Sequence, residues 1–142
     1  MTAYVKHFSI VMAVILVATV CINAAAEENG CGTQTLRGSY IYSAAGFLAA
    51  SPGQGPFTPI AEAGVYVFDG AGNLSTTNTL SFGGVIIPRT ADGSYSVNAD
   101  CTGSATANGG VAFTFAVTRS GHEMRFVATT ATVSVMGTMT RQ

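Results

Sequence analysis

The chain contains no tryptophan and few ionisable side chains: 9% of its 142 residues are charged, six basic against seven acidic. So sparse a field cannot hold a phosphate backbone, which excludes a nucleic-acid partner. Lys6 is the sole lysine, and the histidines are His7 and His122. With no CxxC pair and a single histidine beyond the first few residues, neither a zinc shell nor a redox dithiol can be assembled, so no metal and no cofactor is expected. A GxSxG elbow is also missing, which removes the usual serine-hydrolase arrangement. No stretch beyond the first thirty residues has the periodicity of a long helix. Prolines number four, three of them between Ser51 and Pro59.

What is present begins with a leader. Lys6 and His7 precede an apolar run from Phe8 to Ile22, and Ala24, Ala25 and Ala26 supply the small residues that signal peptidase accepts. We read residues 1–26 as a signal peptide cleaved before Glu27. The run is shorter than the ~20 residues a membrane span needs, and no basic cluster follows it, so no stable membrane span is expected after cleavage. Val20 stands before Cys21 where a lipidation site requires a small residue. The protein is therefore expected to be secreted or periplasmic. The mature chain keeps five arginines, seven acids and two cysteines.

Those two cysteines, Cys31 and Cys101, meet an oxidising compartment and are expected to pair. Closing a loop of about seventy residues stabilises a fold by roughly 4 kcal/mol in the chain-entropy description. The bond would tether an N-terminal segment, residues 27–35, to the middle of a single domain spanning 36–142.

From Leu36 onward the pattern is that of an all-β protein. Candidate strands are Leu36–Ala49, Ala61–Asp69, Asn73–Phe82, Gly84–Thr90, Gly93–Val97, Thr102–Ala107, Val111–Arg119, Glu123–Thr129 and Ala131–Arg141. Asp69–Asn73, Asp92-Gly93, Asn108–Gly110 and Ser120–His122 supply turn residues between them. Ser51–Pro59 is expected to be an irregular loop, because its prolines cannot donate to a ladder. Val111, Phe113, Phe115 and Val117 alternate with Ala112, Thr114, Ala116 and Thr118, giving one bulky and one small face. Sequential strands of this kind leave two edges unless the sheet closes, which favours a small antiparallel up-and-down β-barrel of about eight strands over a curled β-sandwich.

Leu36-Arg37-Gly38-Ser39-Tyr40, Gly46-Phe47, Val67–Ser75, Gly93–Val97 and Asp100–Gly103 together resemble segments of a group of small exported bacterial β-proteins. That group looks like the allene oxide cyclase-like or lipocalin-like barrels. The resemblance implies a barrel around a central cavity and carries over no catalytic residue.

Asp69–Asn73 lacks the ligand spacing of a calcium loop and reads as a hairpin turn, as does the segment holding His122. The more informative group is Glu62, which shares a strand face with Gly64, Tyr66 and Phe68. Converging inside a barrel, Glu62, Tyr66, Tyr40, Tyr42, Tyr95 and Arg125 would form an aromatic cavity with polar anchors for a small, largely apolar ligand. The same tyrosines also fit ordinary cross-strand packing. Two further functions are consistent with the residues. One is a structural or interaction protein of the envelope or extracellular matrix, a homo-oligomer built on the apolar strand faces. The other is a cyclase- or isomerase-type enzyme using the cavity to fold its substrate. Strands mostly under ten residues, without tryptophan, argue against an outer-membrane barrel.

Overall fold

A computed structural model describes residues 30–142; the expected signal peptide and residues 27–29 lie outside the described residues. Eight antiparallel strands follow one another around a ring: β1 (Arg37–Ser51), β2 (Gln54–Asp69), β3 (Asn73–Phe82), β4 (Val85–Val97), β5 (Thr102–Ala107), β6 (Ala112–Val117), β7 (Glu123–Ala128) and β8 (Val133–Arg141). Each pairs with the next, and β8 pairs back onto β1 from Tyr40↔Arg141 to Leu48↔Val133, closing a barrel. Alternation explains the wall. In β6, Phe113, Phe115 and Val117 are buried while Thr114 and Ala116 are exposed, and in β3 and β5 the outward positions are Ser, Thr and Asn.

Two sequence expectations are corrected. Ser51–Pro59 is not a loop: β1 and β2 run on through it and turn at Pro52-Gly53, with Gly53 at φ 70°. The prolines are tolerated because this hairpin projects past its neighbours. The β2–β3 ladder starts at Ile60↔Phe82, and just beyond it the Pro59 carbonyl accepts from Gly83 N (3.0 Å), so the donor Pro59 lacks is missed only at this last rung. Pro56 lies where the β1–β2 register slips, between Ala49 and Ser51. The second correction concerns Asp92-Gly93, which is not a turn. It sits inside β4, joining two candidate strands into one and reducing nine to eight. A Cβ on Gly93 would collide with the Thr106 carbonyl of β5, so this glycine serves close strand approach rather than chain reversal.

The remaining turns follow their chemistry. Asp69 Oδ1 accepts from Ala71 N (2.7 Å) and Asn73 N (3.0 Å), and Asn73 Nδ2 donates to Asp69 Oδ2 (2.6 Å). These donors hold the exposed Asp69 carboxyl below its ordinary pKa. His122 belongs to the turn before β7, its backbone N–H donating to Thr118 Oγ1 (3.1 Å).

The two ends of the barrel differ. At one end lie the short 3₁₀ turn Thr33–Thr35, the Cys31–Cys101 disulfide (Cα–Cα 4.9 Å) and the turns 70–72, 98–101 and 118–122. This end is closed: Leu36, Tyr40, Phe68, Met124 and Met139 are almost wholly inaccessible. At the other end the wall is uneven. β1 to β4 have 15, 16, 10 and 13 residues, so half the strands reach or exceed ten where most were expected to be shorter, whereas β5, β6 and β7 have six each, and the longer strands rise above a low lip.

Candidate functional site

The interior is filled at the closed end and hollow at the other. An aromatic chain fills the lower part: Tyr95 packs on Phe68 (ring centroids 5.0 Å), Phe68 on Tyr40 (5.2 Å) and Tyr66 (5.9 Å), and Tyr66 on Phe113 (5.9 Å). Above Tyr66, Phe113 and Phe126 the barrel encloses a cavity of about 280 Å³. Its walls are mainly apolar, with Leu48, Ile60, Leu80, Phe82, Ala91, Val133 and Val135 among them. At about 280 Å³ it lies just below the roughly 300 to 1,000 Å³ usual for ligand pockets, so it has room only for a small molecule.

Polar groups gather on one side of the cavity, and the strand register explains why. Gly64 of β2 pairs with Tyr42 of β1 and with Asn78 of β3, and Asn78 pairs in turn with Arg89 of β4. A side chain at position 64 would place its Cβ 2.6 Å from Asn78 Cα and 2.7 Å from Asn78 Cβ. The nearest atom to that Cβ would be the Thr77 carbonyl oxygen, so the glycine lets β3 approach β2 closely, and Asn78, inward by alternation, donates from Nδ2 to Glu62 Oε2 at 2.7 Å. Glu62, Tyr66, Thr76, Asn78 and Arg89 all line the cavity, and Tyr42 lies against them from below.

Burial dominates the electrostatics. It raises the Glu62 pKa, opposed by the Arg89 guanidinium and by the Tyr42 and Asn78 side chains. Tyr66 is pushed up to about 12 by burial and then by the Glu62 charge, and the same two causes raise Tyr42 further. Both phenols are thus neutral donors. The Tyr42 and Thr76 hydroxyls are buried beside Glu62, Tyr66 and Asn78 and influence their titration, yet neither completes a hydrogen bond of ordinary geometry among the described residues. Buried polar atoms of this kind are uncommon and costly unless something satisfies them.

Of the residues expected from sequence, Glu62 and Tyr66 line this cavity, and Tyr42 packs against Tyr66 (ring centroids 4.8 Å) without lining it. Tyr40 and Tyr95 do not: they close the opposite end, Tyr40 Oη donating to the Gly121 carbonyl and Tyr95 Oη to the Leu36 carbonyl (2.8 Å). Arg125 also takes no part. It projects from the outer face of β7, its side chain 78% exposed and paired with Glu123 at 3.2 Å, because even parity with Met124 and Phe126 is not available to an odd-numbered position. Sequence reading missed Asn78, Thr76 and Arg89. Their signal was parity: Leu74, Thr76, Asn78 and Leu80 alternate with Ser and Thr, which placed two polar residues on an apolar face.

Among the described residues no group of three His, Cys, Asp or Glu is placed to hold a metal ion. No helix among them is long and apolar enough to cross a membrane. No family model, curated protein or solved structure matches the chain, so the site is read from its own residues.

Proposed function

We propose that this is an exported binding protein that holds a small, largely apolar molecule in the open half of the barrel. The observation that carries the reading is an apolar cavity of about 280 Å³ whose polar lining groups, Glu62, Thr76, Asn78 and Arg89, gather on one side. A ligand with a hydrocarbon body and one hydrogen-bonding end would fill the cavity and meet Asn78, Glu62 and Arg89 with that end. Export is supported by the leader-like first 26 residues and by the Cys31–Cys101 bond, which suits an oxidising compartment. The likeness to small exported bacterial barrels of the allene oxide cyclase-like or lipocalin-like kind agrees with this reading.

The test is native mass spectrometry on protein purified from exporting cells, with denatured masses recorded with and without reductant. We expect a chain starting at Glu27, a gain of about 2 Da on reduction, and a small molecule retained only under native conditions. Titration with N-phenyl-1-naphthylamine, an apolar fluorophore, should show saturable binding that Ala107→Phe and, independently, Ala91→Leu abolish by filling the cavity. A bare chain that binds no fluorophore would overturn the proposal and leave the structural, oligomeric role as the better account. Chemical conversion of the retained molecule, abolished by Glu62→Gln, would instead establish the cyclase or isomerase reading.

A further inference from the structure

Charge is distributed unevenly along the barrel axis. At the closed end, Asp69 flanks the first turn, Asp100 lies in the second, and Arg119 and His122 lie in the third. At the open end the four connections, 52–53, 83–84, 108–111 and 129–132, contain no ionisable residue. The strand segments leading to them, 45–61, 79–88, 106–113 and 126–136, contain none either. Large apolar side chains stand exposed on these same segments: Phe57 (58%), Val85 (61%), Ile86 (65%), Phe47 and Met136. Phe47 and Phe57 are diagonal neighbours on the outer face of the β1–β2 hairpin, given the pairs Phe47↔Pro59 and Ala49↔Phe57.

An exposed apolar sheet end invites strand addition by another protein or a second copy. Here that route is blunted. β5 pairs with β4 only from Gly93 onward, so Val85–Ala91 face no strand on that side among the described residues. The Asp92 carbonyl accepts from Asn108 N (2.7 Å) on that side, and backbone alternation puts Pro88 on it too, withholding a donor from the middle of the edge. Pro59 withholds a donor only at the last β2–β3 rung, where it faces Gly83. The unpaired β4 edge at the open end therefore carries a proline, while its side chains stay apolar.

We propose that the open end docks on an uncharged lipid surface, with the tips of the β1–β2 and β3–β4 hairpins entering the interfacial region. The chemistry of the surface selects this occupant. A rim without charge gains nothing from anionic headgroups and gives a protein partner no ion pairs, and Pro88 interrupts the β4 edge against an added strand. Phe47, Phe57, Val85 and Ile86 bury favourably among acyl chains. The outer faces of β3 and β5 are rich in Ser, Thr and Asn, so the barrel rests on its rim and does not span. The cavity opens at the same end, so an apolar molecule would pass between lipid and barrel without crossing water.

The chain has no tryptophan, which makes the test direct. Protein from exporting cells, its intact mass showing a start at Glu27, is made with the single substitution Phe57→Trp or, as control, Ile41→Trp on the outer wall nearer the closed end. Phosphatidylcholine vesicles should shift the emission of Phe57→Trp to shorter wavelength and leave Ile41→Trp unmoved. Co-flotation of the unsubstituted protein with the same vesicles should persist on raising salt to about 1 M. It should fall about tenfold or more in Phe57→Ser/Ile86→Ser. Fluorophore binding by that double variant reports whether the barrel is folded and its cavity intact, which separates failure here from failure of the binding-protein reading. Binding only to anionic vesicles and lost in salt would overturn the proposal. So would a rim-to-rim dimer in sedimentation equilibrium that the same substitutions dissociate while vesicles stay unbound, or flotation unchanged by the double substitution.

Discussion

Gly64 sets the shape of the polar side of the cavity by having no side chain. Tyr42 and Asn78 lie to either side of it, and an added methyl would meet Asn78 Cα and Cβ well inside contact distance. Gly64→Ala should therefore cost roughly 1–3 kcal/mol in urea unfolding. It should also weaken fluorophore binding, because Asn78 would be displaced from Glu62. Glu62 supplies a prediction with a sign. Burial holds its folded pKa above the ordinary 4.5, so between those values the folded protein binds more protons than the unfolded chain. Stability on this account is greatest below the unfolded pKa and declines as pH rises through the folded one. Glu62→Gln, neutral throughout, should lose that decline: thermal melts from about pH 4 to about pH 8 should show the wild type falling relative to the variant. A constant difference between the two across that range would contradict the burial argument.

The elements differ in what secures them. The segment before β1 is held by the Cys31–Cys101 bond, by Cys31 N donating to the Ala99 carbonyl (3.1 Å), and by Tyr95 Oη reaching the Thr33 and Leu36 carbonyls (3.1 and 2.8 Å). With its cysteines 70 positions apart in sequence, the bond restricts the unfolded chain strongly. Cys31→Ser/Cys101→Ser should lower unfolding free energy by roughly 4 kcal/mol in a denaturant titration. The β4 edge carries a different expectation: Pro88→Val restores an N–H on the unpaired side and should promote self-association, visible by light scattering as concentration rises. These edges also show where sequence reading succeeds and stops. Turns built on Asp69, Asn108 and Ser120 were legible because positive φ demands particular residues, and the strand count followed within one. The Pro52–Pro59 stretch was not legible, since whether proline interrupts a strand depends on whether a neighbour needs its N–H, and the relative heights of strands decide that. Asp92-Gly93 misled for a related reason: a glycine required for close approach to the next strand looks the same in sequence as one required for a turn. At the site, Glu62 and Tyr66 could be read from parity within β2. Tyr40, Tyr95 and Tyr42 share inward parity yet lie at different depths, and depth is fixed by barrel stagger rather than by any local pattern.

At the scale of the whole molecule the barrel divides into an aromatic, disulfide-secured end and a hollow, uneven end. Amide hydrogen exchange should reflect that division. The slowest amides should lie in β1, β2 and β8 near Tyr40, Phe68 and Met139, and the fastest within the described residues around Pro52–Phe57 and Gly83–Ile86. A saturating ligand should slow exchange near Asn78 and Thr76 and leave the disulfide end unchanged. Seven of the eight strand pairings join neighbours along the chain, and one, β1 with β8, joins Tyr40 to Arg141. The seven can form from short turns in any order, but the eighth must wait for nearly the whole chain. Until it forms, β1 and β8 each present a bare edge without a proline such as the one that guards the β4 edge. The interval before that seam closes is thus the period in which nascent molecules are most prone to pair with one another, and a chaperone that shortened or shielded it would raise the yield without altering the folded barrel.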